Sequence, residues 1–321
     1  MTHKQIFEAT LKREKIGGRV PTFELVFFLT MELIGKVHPN QRYFEQWQQM
    51  STKERELQLQ DMADSFIEPA KIFDHSAIFV HPNPTDFDSV KRLLEIIREK
   101  TGDEYFLMTY GDPTLNIPDG KSMVDLSVRL FEDPEGLIKE QEQRMADMLE
   151  FAEKINKHDR LLDGFAMCSD YALNVNPFFP PDIFADVIAP VLKKTIDGYR
   201  DLNLYSIKHS DGNLMPIMDM IIDCKPDAIH SLDPQGGMDL ALCKKLYGDK
   251  VTFIGNVNCG LLQTGTDEEV IADARRALKQ GMADGKGYIF STSNCVYTGM
   301  DLERYKLIHK IWLEEGIYPE Q

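Results

Sequence analysis

The segment Lys208-His209-Ser210-Asp211-Gly212-Asn213 sets an imidazole and a carboxylate two residues apart. Strand side chains alternate between faces, so His209 and Asp211 point the same way. Gly212 then permits a tight exit. Far along the chain, the polar run Ser291-Thr292-Ser293-Asn294-Cys295 ends on a thiol. Imidazole, carboxylate and thiolate are donors for a three-ligand zinc site with a fourth position open, the layout of a catalytic rather than a structural zinc. Each group also has a plainer reading. An HxD pair describes an interior histidine held by a hydrogen bond, and a cysteine is often a small buried apolar side chain.

These groups need elements to hold them. Eight short β-like runs, 19–27, 72–82, 105–113, 161–172, 204–212, 227–234, 251–259 and 288–295, are rich in apolar residues and close on Gly, Pro, Asn, Asp or Cys. The stretches between them read as helices. Ser51 with Glu54 and Thr266 with Glu269 form capping boxes. Asp133-Pro134 opens a long charged helix to about Lys157, and Pro180-Pro181 opens another. An amphipathic helix leads the chain, LERYKLIHKIWLEEG closes it, and the stretch between the first two runs holds extra helix, partly as a lid. Strands alternating with helices predict the α/β class and a (β/α)8 TIM barrel, one domain over 1–321 with an N-terminal helical extension. An open doubly wound sheet would need a glycine-rich phosphate loop after the first strand. Gly236-Gly237 follows a late strand and lacks that spacing.

Barrel chemistry gathers at the C-terminal ends of the strands. Polar residues crowd those ends: Glu24 in the first run, then His81, Tyr110 and Asp112, Cys168, Asp170 and Tyr171, His209 and Asp211, Asp233, Asn256 and Asn258, and Cys295. So many predict a wet, chemically active cavity. Asp170 and Asp233 read as substrate-binding carboxylates or as N-caps. Asn256 binds substrate or braces a loop, and Tyr110 and Tyr171 form walls. Glu24, set between Phe23 and Leu25, needs a partner. Cys224, Cys243 and Cys259 read as structural.

The 321 residues carry 36 Lys+Arg against 52 Asp+Glu, a net charge of −16. Such a surface repels phosphate backbones and anionic membranes, which excludes nucleic acid and membrane as partners. No stretch approaches the roughly 20 apolar residues of a membrane span, and the N-terminus lacks the apolar run of a signal peptide. Five scattered cysteines without a CxxC pair fit reduced thiols in a cytoplasm.

Taken together, RVPTFE, DYALNVNPFFPPDIFADVIAPVLKKTID, KHSDGN, IGNVNCGLLQTGTDEEV and YIFSTSNCVYTGMDLERYKLI resemble the uroporphyrinogen decarboxylase-like superfamily, and within it the corrinoid-dependent methyltransferases. True uroporphyrinogen decarboxylases match poorly, because their arginine-rich N-terminal motif is replaced by Arg19-Val20-Pro21-Thr22-Phe23-Glu24. The chain is more similar to the coenzyme M methyltransferases of methanogens, whose zinc sits on a His-x-Cys pair and a later Cys. That resemblance implies metal ligation by His209 and Cys295, with Asp211 standing where the family has Cys. Glu24 is an alternative third ligand. A carboxylate in place of a thiolate leaves a harder, more Lewis-acidic zinc, suited to an ether oxygen rather than a thiol.

What the resemblance implies is an O-demethylase-type enzyme. It would move a methyl group from a small methoxylated aromatic to the cobalt(I) of a corrinoid protein. The Asp-x-His-x-x-Gly corrinoid signature is missing here, so cobalamin would arrive on that partner. Glu24, Asp170 and Asn256 would serve catalysis by orienting substrate or metal shell, and Tyr110, Asp112, Tyr171 and Asp233 would contact substrate. Rival readings are methyl transfer to or from a thiol, an amine or a folate, a uroporphyrinogen decarboxylase-like decarboxylase, and a non-catalytic barrel that binds a corrinoid or tetrapyrrole.

Overall fold

The computed structural model describes residues 1–319. Its strands are β1 (Ala77–Val80), β2 (Phe106–Tyr110), β3 (Gly164–Met167), β4 (Ala172–Leu173), β5 (Asn176–Pro177), β6 (Tyr205–Ser210), β7 (Ala228–Ser231), β8 (Thr252–Ile254) and β9 (Tyr288–Ile289). Seven of them form one parallel sheet in the order β1-β2-β3-β6-β7-β8-β9, and β4-β5 is a separate hairpin.

The first expected run, 19–27, supplies the missing stave without becoming a regular strand. Pro21 has no N–H to give, but its carbonyl accepts from Phe290 N, and the Thr22 carbonyl accepts from Ser76 N. Thr22 bridges Phe290, and Phe27 bridges Val296. The segment thus touches β9 on one side and the start of β1 on the other, closing the sheet into a barrel as expected. The last run is equally brief. Only Tyr288 and Ile289 pair regularly, after which the chain turns over the mouth.

Barrel filling follows the two-residue period. Ala77, Phe79, Phe106, Met108, Ala166, Ile207, Ala228, Ile254 and Ile289 form one inner cluster with Phe7 and Leu11 of the N-terminal helix His3–Leu11. That helix packs on β1, β2 and β9. Alternate residues such as Ile78, Val80, Leu107, Phe165, Ile229 and Phe253 face the outer helical layer. Two residues beyond the inner layer, the same staves deliver His81, Tyr110, Cys168, His209, His230, Asn256 and Ser291. The polar mouth is the next turn of the pattern that builds the core.

The helical layer matches its sequence signals. Both capping boxes form, at Thr52–Ile72 and Asp267–Gly281. Asp133 caps Pro134–Ile155 through Gly136 N. The helix opened at Pro181 departs from regularity: a π-turn spans Phe184–Ile188 before Ala189–Asp201. Pro190 explains the slip, since it cannot donate the backbone bond that a regular turn requires.

Candidate metal centre

His209 on β6 and His230 on β7 are register partners, and their Nδ1 atoms lie 2.8 Å apart. The Nε2 of His230 is 3.2 Å from the Thr292 carbonyl. A carbonyl only accepts, so His230 carries its proton on Nε2. Complete burial drives its pKa well below the ordinary value, which keeps the ring neutral. Its Nδ1 is therefore an acceptor, and His209 must donate from Nδ1. With Nδ1 engaged by His230, Nε2 is the ring nitrogen of His209 open to a further partner.

This nitrogen faces carboxylates. His209 Nε2 is 3.8 Å from Asp170 Oδ1 and 3.7 Å from Asp211 Oδ1. Those separations are too long for hydrogen bonds. They suit a shared cation, because two ligand bonds of roughly 2.0–2.2 Å together span up to about 4 Å. Donor atoms of Asp170, His209 and Asp211 all lie within 4.8 Å of one another. One imidazole with two carboxylates is a donor set for zinc or another divalent ion of similar hardness.

The carboxylates are held from behind. Asp211 N donates to Asp170 Oδ1 at 2.9 Å, and Asp170 N donates to Asn116 Oδ1 at 2.7 Å. Ser231 Oγ donates to Asp211 Oδ1 at 3.3 Å, and the Asn294 side-chain amide donates to Asp211 Oδ2. Burial raises the pKa of Asp211. His209 opposes that rise, while the Asp170 and Asp233 carboxylates add to it. At Gly212 φ is +76°, and a Cβ there would sit 2.8 Å from the Asn174 carbonyl of the β4-β5 hairpin. The strand exit beside Asp211 thus needs glycine on two counts.

Cys295 stands just outside this group. Its N–H donates to Asn294 Oδ1 at 2.6 Å, so Asn294 bridges Asp211 and the Cys295 backbone. Its thiol is pushed up to about 12, first by burial and then by Asp211, Cys259, Glu24 and Asp170. Asp170, expected as a substrate-binding carboxylate or an N-cap and, by resemblance, as an orienting group, is the third of the clustered donors.

Other expected site residues separate by depth. Asp112 is buried and spent internally: Lys208 Nζ donates to Oδ2 at 2.8 Å, Ser169 N to Oδ2 at 2.9 Å, and Thr114 N and Oγ1 to Oδ1 at 3.0 and 2.6 Å. Burial pushes this carboxyl up, but the Lys208 charge and these donors hold it below the usual range. Lys208 also reaches the Ser169 carbonyl at 2.7 Å and sits 3.9 Å above the ring of Tyr171. Tyr171 is itself fully buried, its hydroxyl 2.7 Å from Thr114 Oγ1. Neither Asp112 nor Tyr171 is brought to the mouth. Tyr110 is, at 45% exposed, with its hydroxyl donating to the Asp112 carbonyl at 3.0 Å.

Asn256 takes the bracing role. Its Nδ2 donates to the Leu232 carbonyl at 2.8 Å, and its Oδ1 accepts from Arg276 at 3.0 Å. Asp233 Oδ1 accepts from Gln235 N at 2.9 Å within a turn. Glu24 finds its partners in Ser291, Thr292 and Tyr305 rather than among the clustered donors. His230, Asn294, Thr292 and Lys208 carry much of the arrangement and were not singled out from sequence. The two-residue step from Ala228 was the available signal for His230.

The strand ends of this barrel bring together an imidazole and two carboxylates that could hold a metal ion. Comparison with known proteins places it further. The uroporphyrinogen decarboxylase (URO-D) family model matches residues 167–311, the stretch that carries Asp170, His209, Asp211 and Cys295. The resemblance to uroporphyrinogen decarboxylase-like proteins therefore holds. No curated protein matches the chain in sequence. Among solved structures, a methyltransferase from Methanosarcina mazei superposes with a TM-score of 0.73 at 17% identity, over 98% of this chain and 99% of that one. A structure described as a vitamin-B12 independent methionine synthase from Listeria monocytogenes follows at TM-score 0.52 and 10% identity, over 92% of this chain and 96% of that one. At these identities the likeness is one of fold.

Proposed function

We propose that the protein is a methyltransferase that moves a methyl group from a small methoxylated aromatic to the cobalt of a corrinoid carried by a partner protein. The observation that carries this reading is the convergence of His209 Nε2, its other ring nitrogen held by His230, on the Asp170 and Asp211 carboxylates. His209, Asp211 and Asp170 would hold the metal, with Cys295 as a further donor beside them. Zinc bound there supplies a Lewis acid to take up charge on a departing ether oxygen. The URO-D match and the full-length fold likeness to a methyltransferase support the class. The carboxylate at position 211, in place of a thiolate, favours an oxygen-bearing substrate over a thiol.

The chain's own residues prepare the site. His230 fixes the tautomer of His209, Asn294 and Ser231 orient Asp211, and half-exposed Tyr110 offers an aromatic wall. Among the described residues no helix is long and apolar enough to cross a membrane, and all five cysteines are free. Both facts accord with action in a reducing cytoplasm.

Metal analysis after dialysis against zinc should find about one ion per chain, with retention lost in His209→Ala and Asp211→Asn. The protein should then demethylate at least one of a panel of methoxyarenes when supplied with cobalt(I) cobalamin. Full zinc retention in both variants sinks the metal centre. Carbon dioxide release from an aromatic or pyrrole acid without cobalamin would replace the methyltransferase with a decarboxylase.

A further inference from the structure

Glu24 is a carboxyl group deep in the barrel wall, 6% exposed, and among the described residues no cation is paired with it. Its Oε1 accepts from Tyr305 at 3.2 Å, and Thr292 N lies 3.3 Å from both carboxyl oxygens. Ser291 Oγ is 3.2 Å from Oε2. The decisive contact is with Thr292, whose Oγ1 lies 2.5 Å from Glu24 Oε2 and 2.6 Å from the Asn294 carbonyl. A hydroxyl has one proton. The carbonyl can only accept, so that proton points at Asn294. The short contact to Oε2 then needs a second proton, and Glu24 is the remaining source.

We propose that Glu24 is a neutral carboxylic acid and a positioning residue: its O–H fixes Thr292, which in turn sets Asn294 and His230, the groups that hold Asp211 and His209. Each link is a contact already described. Thr292 Oγ1 anchors the Asn294 carbonyl, the Asn294 amide bonds Asp211, and the Thr292 carbonyl accepts from His230. The role assigned to Glu24 rests on the metal-centre reading, whereas its protonation does not.

The surroundings agree. Burial raises Glu24 to about 7 against the pull of Thr292, Tyr305 and Ser291. Its titratable neighbours bring no charge. Tyr305 is raised well above its ordinary value, Cys259 is pushed up to about 12, and His75, 3.1 Å from the Tyr305 hydroxyl, is lowered to about 3. Such a pocket favours the uncharged acid.

Infrared difference spectra of the metal-free chain at pH 6 should show a protonated-carboxyl band that disappears in Glu24→Gln. Zinc affinity, read by chelator competition, should stay within about threefold in Glu24→Gln, which keeps a neutral donor toward Thr292. It should fall roughly tenfold or more in Glu24→Leu and in Thr292→Val. Thr292→Val stands in if Glu24→Leu does not fold. An absent band overturns the protonation. Equal zinc affinity in wild type and Thr292→Val overturns the positioning role. If the wild type itself binds no zinc, the positioning role falls with the metal centre, and the band still decides the protonation.

Discussion

His209 and His230 meet Nδ1 to Nδ1 at 2.8 Å across adjacent strands. For His209 as the proposed metal ligand, His230 does what a carbonyl or carboxylate often does: it engages one ring nitrogen and orients the other toward the site. His230→Leu would leave His209 Nδ1–H and the Thr292 carbonyl without partners inside the barrel. Zinc affinity in that variant should drop by roughly 10- to 100-fold, measured by chelator competition. An affinity unchanged from wild type would show that His230 does not set the tautomer.

A second expectation separates the roles of Asp170 and Cys295. Asp170 belongs to the clustered donors, whereas Cys295 is not among them and is tied to Asn294 through its backbone N–H. Asp170→Asn should therefore weaken zinc binding more than Cys295→Ala. The metal-free Cys295 thiol, held up at about 12, should alkylate slowly at pH 8. A Cys295→Ala variant that binds zinc more weakly than Asp170→Asn would make the thiolate the stronger ligand and reverse the ranking.

The barrel was legible because its signals are local. The eight runs, both capping boxes and the Asp133-Pro134 start each depend on residues within a few positions. The direction of His209 and Asp211 followed from strand alternation alone. Partner identity was not legible, because it is set by register between distant segments. His230 meets His209 only when β6 and β7 align at that pair, and Asp112 meets Lys208 across 96 positions of chain. A carboxylate at a strand end looks the same in sequence whether it faces the mouth, as Asp211 does, or is spent on a buried lysine, as Asp112 is. The same holds for Asn256, whose bracing partner Arg276 lies on a later helix.

The Lys208–Asp112 pair yields a third prediction. Both side chains are fully buried and linked at 2.8 Å. Lys208→Met removes one charge and leaves the other without its counter-ion in a low-dielectric wall. Stability should fall by about 3–5 kcal/mol, measured by urea denaturation at pH 7. Adding Asp112→Asn should restore part of the loss, because the stranded charge is then gone. A single-variant loss below about 1 kcal/mol would mean that water reaches the pair.

Glu24 gives the last prediction its sign. Its ordinary value is 4.5, and in the fold it rises to about 7. Below 4.5 both folded and unfolded chains carry the proton, and the group costs nothing. As pH rises from 4.5, the unfolded chain ionises first while the folded chain retains its proton, so stability is lost until pH passes 7. The rise from 4.5 to about 7 corresponds to about 3 kcal/mol. Glu24→Gln has no proton to lose. Its stability relative to wild type should therefore climb by about that amount between pH 4.5 and 8, and other titrating groups cancel in the difference. Urea denaturation of the two metal-free proteins across this range measures the difference directly. Parallel curves would mean that Glu24 ionises in the fold as it does in water, and the proton between its Oε2 and Thr292 would have to come from elsewhere.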